Sequence, residues 1–247
     1  MSRFSAMPSS SNALLPASGL ACLSTHTPRW RPGLAKDGQL AHHCEVFACG
    51  REASGAGAAL ALAADALAEG EGRPLLWVQD KAALRLAGRP YRPGLPKAFR
   101  HRLIHVVAEK AEDALFAIEE GLRCRDLCAV MGEVVGNPKA LDFTASRRLT
   151  LTAQKHGVPL WLVRLDAARD LSSARMRWQV AAVPSPPPRW NPQAPGIPSW
   201  RAELFRARMH SPGTWILRAL RDGLSASGLD PSSGQSEGGA EPLAARG

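Results

Sequence analysis

The sequence predicts an α/β fold with a mainly parallel β-sheet flanked by helices, and three observations predict it. Apolar runs of strand length alternate with helical segments, as they do in sheets joined by crossover helices. Runs such as 74–78 and 127–132 are continuously apolar, which is typical of strands covered on both faces. A glycine-bearing turn joins the first strand to an alanine-rich helix, which is the layout of phosphate-binding loops at helix N-termini.

The first unit of the fold runs from Glu45 to Leu67. Glu45–Ala48 is predicted as a strand, and the glycine-bearing turn occupies 50–57. The alanine-rich helix that follows, up to Glu69, is apolar nearly all round, which predicts a buried helix lying close on the sheet. Together with the strand at 74–78 it forms one right-handed crossover unit.

The turn has the glycine spacing of a phosphate-binding loop but lacks the two side chains that do its chemistry. A loop of the form G-x-x-x-x-G-K-[ST] uses its Lys on the β/γ-phosphates and its hydroxyl on Mg²⁺. Here Ala56 takes the Lys position and Gly57 the Ser/Thr position. One lost charge-assisted hydrogen bond costs about 1.5–3 kcal/mol, and about 1.4 kcal/mol is tenfold in affinity.

We therefore interpret the turn as the scaffold of a nucleotide-binding fold without hydrolytic machinery. We predict no catalytic residue, metal or cofactor, and the alternative is an ordinary tight turn in a glycine-rich chain. The degenerate loop positions are Gly50, Glu52, Ser54, Gly55, Ala56 and Gly57.

Residues 80–102 interrupt the alternation of strands and helices. A short helix at 82–86 leads into a stretch rich in Pro and Gly, and Arg85 to Arg102 contains six basic residues and no acidic one. Tyr91 and Phe99 are interleaved with them, a composition that suits a phosphate backbone or a stacked base. A solvated surface loop is the alternative, because Pro and Gly at this density predict one.

The second half of the domain resumes the alternation. A strand at 103–107, a helix at 112–122 and a buried strand at 127–132 follow in order. Phosphate-loop ATPases end such a strand in acids that order Mg²⁺ and water. Here Gly132 is predicted at the strand end with Glu133 after it, and we expect Glu133 to have a structural or partner-contacting role.

A long helix is predicted next. Asn137 and Pro138 are a good N-cap and first-turn pair, and the helix runs through His156 to a glycine stop. Arg147 and Arg148 lie off its apolar stripe, towards solvent or a partner.

The last predicted elements are strands. The chain reads as a strand at 158–163, an edge strand at 176–183, and a hairpin or two short strands at 199–208 and 214–220. The proline run between the edge strand and this pair cannot lie inside a sheet.

Composition and charge limit the possible functions of the chain. The chain has 247 residues and a formal net charge of +9, which favours an acidic partner such as nucleic acid. No run is long enough to span a membrane, no signal peptide is recognisable, and five cysteines without a framework indicate reduced thiols in the cytoplasm. We predict a disordered arm at 1–36, one domain at 37–221 and a disordered tail at 222–247.

Several segments in a fixed order carry a family resemblance. The loop and its flanking strand resemble the corresponding segment of RecA recombinases, with the Lys-Thr pair replaced. The further segments are Gly132 to Leu149, Gly157-Val158-Pro159, Ser173 to Ala182 and Pro195 to Leu204. Together they are similar to the ImuA family, a bacterial family that is RecA-like and often labelled SulA-like, over roughly residues 39–217.

The resemblance implies a RecA-like fold and an accessory role in damage-induced mutagenesis. Members of the family are encoded with ImuB, an inactive relative of Y-family polymerases, and with an error-prone replicative-type DNA polymerase. The set acts in translesion synthesis under SOS control. The implied partners of this chain are those two proteins, with RecA and DNA as further candidates. Our candidate partner or DNA contacts are Arg89, Arg92, Lys97, Arg100, Arg102, Arg147 and Arg148.

Two other functional classes stay open from the sequence. One is a cell-division inhibitor in the manner of SulA, which would block polymerisation of the tubulin-like division protein. The other is a weak ATPase that uses Glu133 together with a substitute cation, either Arg51 or an arginine of a partner.

Overall fold

The strands that the structure describes come together in one sheet. The computed structural model describes residues 42–68, 70–220 and 223–229. In chain order, the strands of the described residues are β1 (His43–Ala48), β2 (Leu75–Asp80), β3 (Leu103–Ala108), β4 (Ala129–Val135), β5 (Leu160–Leu165), β6 (Met176–Ala182), β7 (Ser199–Ala207), β8 (Gly213–Leu220) and β9 (Gly223–Gly228). Their order across the sheet is β3-β2-β4-β5-β1-β6-β7-β8-β9.

The sheet has a parallel part and an antiparallel part. All neighbours from β3 to β6 pair in parallel, whereas β6 to β9 pair antiparallel. Strands β1, β2 and β5 are buried at every position, as strands covered on both faces should be. This arrangement confirms the predicted α/β fold with C-terminal antiparallel strands and is consistent with a RecA-like sheet.

Helices cover both faces of the sheet. They are α1 (Ser54–Ala66), α2 (Lys81–Ala87), α3 (Ala111–Arg123) and α4 (Phe143–His156). Gly55 of α1 lies against Ala48, whereas Thr150 of α4 bonds His43 through a 2.7 Å contact between Oγ1 and Nδ1. Because successive residues of a strand point to opposite faces, His43 and Ala48 of β1 place α4 and α1 on opposite faces.

The main apolar core lies between the sheet and the two helices α3 and α4. Leu76, Val130 and Leu162 project from three neighbouring strands towards Ile118 of α3 and Leu149 of α4, and all five are buried. Each such side chain contributes about 1.5–3 kcal/mol when it is removed from water. This packing fixes where α4 and its arginines lie.

The start of α4 differs from the prediction. Asn137 and Pro138 precede the helix, and Asp142 is its N-cap, because the Asp142 side chain accepts a hydrogen bond from the Ala145 amide at 2.7 Å. The Asn137 side chain bonds elsewhere, to the Asp170 carboxylate at 2.7 Å. An Asn-Pro pair suits a turn as well as a helix start, and here it forms a turn.

Two predictions at the C-terminal side were wrong. Strand β6 is not an edge strand, because it lies between β1 and β7. The predicted tail from 222 begins too early, because Gly223–Gly228 forms β9 and buries Leu224 and Ala226 on alternate positions. Its Gly- and Ser-rich sequence concealed a strand that β8 stabilises by pairing. The predicted arm at 1–36 and residues 230–247 lie outside the described residues.

Candidate functional site

The loop from Gly50 to Gly57 stands at the carboxyl end of β1, near the middle of the sheet. Parallel sheets bind ligands at this edge. Helix α1 begins at Ser54, and its N-cap residue, Ala53, makes no side-chain hydrogen bond. The location therefore matches the predicted phosphate-binding scaffold, and the contacts of the loop decide what it can hold.

Two carboxylates of the chain form hydrogen bonds at the loop. The Gly50 amide donates to Asp166 Oδ1 at 2.9 Å, and Glu52 Oε2 accepts from the Ala182 amide at 3.0 Å. Asp166 holds a φ of 50°, a conformation uncommon for non-glycine residues. Negative charge beside the loop opposes the binding of a phosphate, and one of the amides that could cradle it is engaged.

The glycines of the loop have packing roles. A Cβ atom at Gly55 would lie 2.9 Å from both Ala48 and Val163, and one at Gly57 would lie 2.9 Å from the ring of Trp200. A hydroxyl side chain at 57 would therefore require Trp200 to move. The position that a phosphate loop gives to its Ser or Thr is used here to pack β7 against α1.

Glu133 lies inside β4 instead of after it, so the predicted strand end was wrong. The strand continues to Val135, and only 1% of Glu133 is exposed. Its Oε2 accepts from Gln79 Nε2 at 2.6 Å and from Trp77 Nε1 at 3.3 Å. Burial raises the pKa of Glu133 to about 7, against the opposing effect of these two donors. A carboxylate covered in this way is badly placed to activate water for an ATPase.

A series of hydrogen bonds connects Glu133 to the basic segment, which is the stretch from Arg85 to Arg102. The Gln79 side chain also bonds His105 Nε2 through its Oε1 at 2.8 Å and donates to the Gly88 carbonyl at 3.1 Å. Burial lowers the pKa of His105, and the charges of Arg89 and Arg92 lower it further. These contacts hold the start of the basic segment to the sheet.

The basic segment is anchored by two buried side chains. Leu95 and Phe99 are buried, with Phe99 0% exposed, so Phe99 cannot stack on a base as the sequence suggested. Tyr91 is 74% exposed. A segment with two buried side chains is held on the body of the protein. The alternative of a solvated surface loop is therefore correct only for the exposed residues of the segment.

The seven candidate contact residues form two separate groups. Arg89, Arg92, Lys97 and Arg100 are exposed, whereas Arg102 is partly buried and donates to the Glu71 carbonyl. On α4, Arg147 is exposed, and Arg148 pairs with Glu119 at 2.6 Å.

The two groups lie on opposite faces of the sheet. Residues 94–98 and Arg100 line a groove together with α1, and α4 lies on the other face. The structure therefore does not bring all seven residues to one surface.

Sequence reasoning missed a buried ionic cluster on the α4 face. Arg177 Nε bonds Glu45 Oε2 at 2.6 Å, Ser172 Oγ bonds Glu45 Oε1 at 2.7 Å, and Arg164 lies 3.7 Å from the same carboxylate. Asp170 completes the cluster by pairing with both arginines. Charged residues inside otherwise apolar strands were the signal that could have found it.

The described residues contain neither a metal-binding cluster nor a membrane-spanning helix. Across 42–68, 70–220 and 223–229, no group of three or more His, Cys, Asp and Glu side chains is placed to hold a metal ion. None of the helices in this part of the chain is long and apolar enough to span a bilayer.

Comparison with known proteins found no matching family model but two similar curated proteins. Both carry the name Protein ImuA, one from Caulobacter vibrioides strain NA1000 / CB15N and one from strain ATCC 19089 / CIP 103742 / CB 15. Each is 34% identical to this chain over 169 residues, which cover 64% of this chain and 65% of the relative. The match therefore spans slightly less than two thirds of each relative's length.

Proposed function

We propose that this chain, which is 34% identical to Protein ImuA over 169 residues, belongs to the ImuA family and is a non-catalytic accessory protein of damage-induced mutagenesis. It works as a RecA-like interaction module in the SOS-induced, error-prone translesion DNA synthesis complex of the cytoplasm. Its partners are an ImuB-like inactive Y-family polymerase and an error-prone replicative-type DNA polymerase. RecA and DNA are further candidate partners.

The observation that carries the proposal is the filled loop at the carboxyl end of β1. The loop lacks the Lys and hydroxyl of a phosphate-binding loop at Ala56 and Gly57, it presents Asp166 and Glu52 as carboxylates, and Trp200 packs against it. These contacts oppose nucleotide hydrolysis while leaving the surfaces of the fold available to partners.

Co-purification tests the proposed partners. The tagged full chain is recovered from cells treated with a DNA-damaging agent, and the retained proteins are identified by mass spectrometry. We expect the inactive Y-family protein, the error-prone polymerase or RecA. Recovery of the tubulin-like division protein in their place would favour a SulA-like division inhibitor and contradict the proposal.

ATP turnover tests the absence of catalysis. We expect the purified chain to hydrolyse ATP no faster than buffer, with no change in Glu133→Gln or Arg51→Ala. Turnover that disappears in either variant would show that a weak ATPase survives, because those residues supply the acid and the substitute cation of that alternative.

DNA binding separates the two groups of basic residues. One variant neutralises Arg89, Arg92, Lys97 and Arg100, and another neutralises Arg147 and Arg148. Comparing the two shows which face of the sheet binds DNA. Loss of phosphate contacts should weaken binding and reduce its salt dependence. Salt-dependent binding that persists with both groups neutralised would remove all of these residues as DNA contacts.

A further inference from the structure

A groove of about 1220 Å³ runs along α1. One wall is α1 itself, which contributes Ser54, Gly57, Leu60, Ala61 and Ala64. Residues three or four apart share a face of a helix, so these residues form one strip along α1. Ser54, Leu60 and Ala61 are buried and Trp200 packs against Gly57, so the strip is most accessible at the half-buried Ala64.

The other walls of the groove come from distant parts of the chain. Residues 94–98 and Arg100 form one wall, and the ends of the antiparallel strands form the other. Apolar side chains such as Leu95, Val183 and Leu220 line these walls, and Leu220 is 47% exposed. Apolar surface of this kind favours a ligand that is itself partly apolar.

The groove carries more basic than acidic side chains. Lys97 and Arg100 line it, both are exposed, and neither has a carboxylate within 4.0 Å in the described residues. Asp65 of α1 is the acidic residue among those that line the groove.

The size and lining of the groove select the class of ligand. Its volume exceeds the roughly 300–1,000 Å³ of small-molecule pockets. A single-stranded nucleic acid would need a row of cations and open aromatic faces. The groove offers two basic side chains and a carboxylate, and its aromatic residue, Trp200, is only 6% exposed.

We infer that the groove along α1 binds one segment of a partner polypeptide, with apolar side chains against the α1 strip and acidic residues beside Lys97 and Arg100. The inference rests on the proposed function and names the surface of this chain that the partner meets. Charge complementarity supports the acidic character of the segment, because the exposed basic side chains of Lys97 and Arg100 line the groove.

Blocking the groove is the first test, with the purified polymerase-like partner as the probe. Ala64→Arg places a long side chain in the groove, and Ala66→Arg is the matched control, because Ala66 is also half-buried on α1 but does not line the groove. We expect Ala64→Arg to weaken binding by calorimetry at least about tenfold and Ala66→Arg to leave it unchanged.

A second blocking pair covers the case in which Ala64→Arg fails to fold. Leu220→Lys changes an exposed groove residue, and Leu151→Lys changes an exposed leucine on α4, on the opposite face. Thermal unfolding identifies the variants that fold. Only Leu220→Lys should weaken the complex.

Charge reversal tests the acidic character of the segment. The double variant Lys97→Glu with Arg100→Glu should bind about tenfold more weakly at low salt, and the difference should shrink at high salt. Lys139→Glu with Lys155→Glu is the control, because these two exposed lysines do not line the groove and their reversal changes the net charge by the same amount. An equal loss in the control would show a general charge effect and overturn the assignment.

The remaining outcomes separate the groove from the proposed function. If the wild-type chain binds the partner and every groove variant binds equally well, the groove assignment is wrong and the proposed function stands. If the wild-type chain does not bind the partner, both fail. A single-stranded oligonucleotide that loses affinity in Ala64→Arg would assign the groove to nucleic acid instead. Stronger partner binding after deletion of 230–247, or self-association that Ala64→Arg abolishes, would assign it to the chain itself.

Discussion

Glu45 and Glu133 are both buried strand carboxylates, but the two faces of the sheet treat them differently. Glu45 is 0% exposed and is paired with Arg177 at 2.6 Å on the α4 face. Glu133 is 1% exposed and lies in register with Val163, on the α1 face. Its bonded neighbours are the neutral donors Gln79 and Trp77.

The comparison shows that the side chains bonded to a buried carboxylate decide its role. Around Glu45, two guanidinium groups balance the charge and also lie over the Phe47 ring, at 5.0 Å for Arg177 and 5.5 Å for Arg164. Around Glu133, burial without a cation raises its pKa to about 7. The first is a fixed ion cluster, and the second is a group that titrates near neutrality.

Removing the charge of Glu45 should have the largest effect. Breaking a buried ion pair by removing one partner costs about 3–5 kcal/mol, because the remaining charge stays buried without compensation. Glu45→Gln should lower the free energy of unfolding by that amount in urea titrations at pH 7.5. Glu203→Gln is the control, because the pair of Glu203 with Arg169 is exposed and should contribute less than about 1 kcal/mol. Equal effects would mean that the Glu45 cluster is no stronger than a surface pair.

Glu133→Gln should raise the free energy of unfolding at alkaline pH, whereas Glu45→Gln lowers it. Because the folded pKa of about 7 lies above the ordinary 4.5, the unfolded chain ionises first, and stability falls as the pH rises from 4.5 through 7. The variant lacks this penalty, so relative to wild type it should gain about 1–3 kcal/mol between pH 5 and pH 8. A difference that is constant across this range would show that Glu133 does not titrate there.

His43, beside Glu45, should give the opposite pH dependence. Burial lowers its pKa from 6.5 to about 4. The unfolded chain therefore takes up the proton first, and stability falls as the pH drops from 6.5 towards 4. His43→Asn removes this dependence, so relative to wild type it should gain about 1–2 kcal/mol between pH 7.5 and pH 5. Parallel stability curves for the two proteins would contradict the assignment.

The helix starts on the two faces give the smallest effects. Helix α4 is capped by Asp142, whereas α1 begins at Ala53 without a side-chain cap. Asp142→Ala should cost about 1 kcal/mol, and Ala53→Ser should add about 0.5–1 kcal/mol. Thermal unfolding of the two variants measures both. No gain in Ala53→Ser would indicate that the α1 amides are already satisfied by other groups.

Sequence reasoning reached the fold but only part of the site. The apolar strands and the Gly50–Gly57 turn were found because local patterns specify them. The position of Glu133 inside β4 was missed, because an apolar run does not mark where a strand ends. Strand β9 was missed because its Gly- and Ser-rich sequence forms a strand only through pairing with β8.

By itself, the sequence determined the alternation of strands and helices and the absence of a Lys and a hydroxyl at Ala56 and Gly57. Both are local properties, readable from neighbouring residues. Only the tertiary structure decided that Trp200 packs against Gly57, that Arg177 neutralises Glu45, and that the basic residues occupy two faces. The first two facts depend on contacts between residues more than a hundred positions apart, and the third depends on which face of the sheet each segment covers. Chain topology alone decides both.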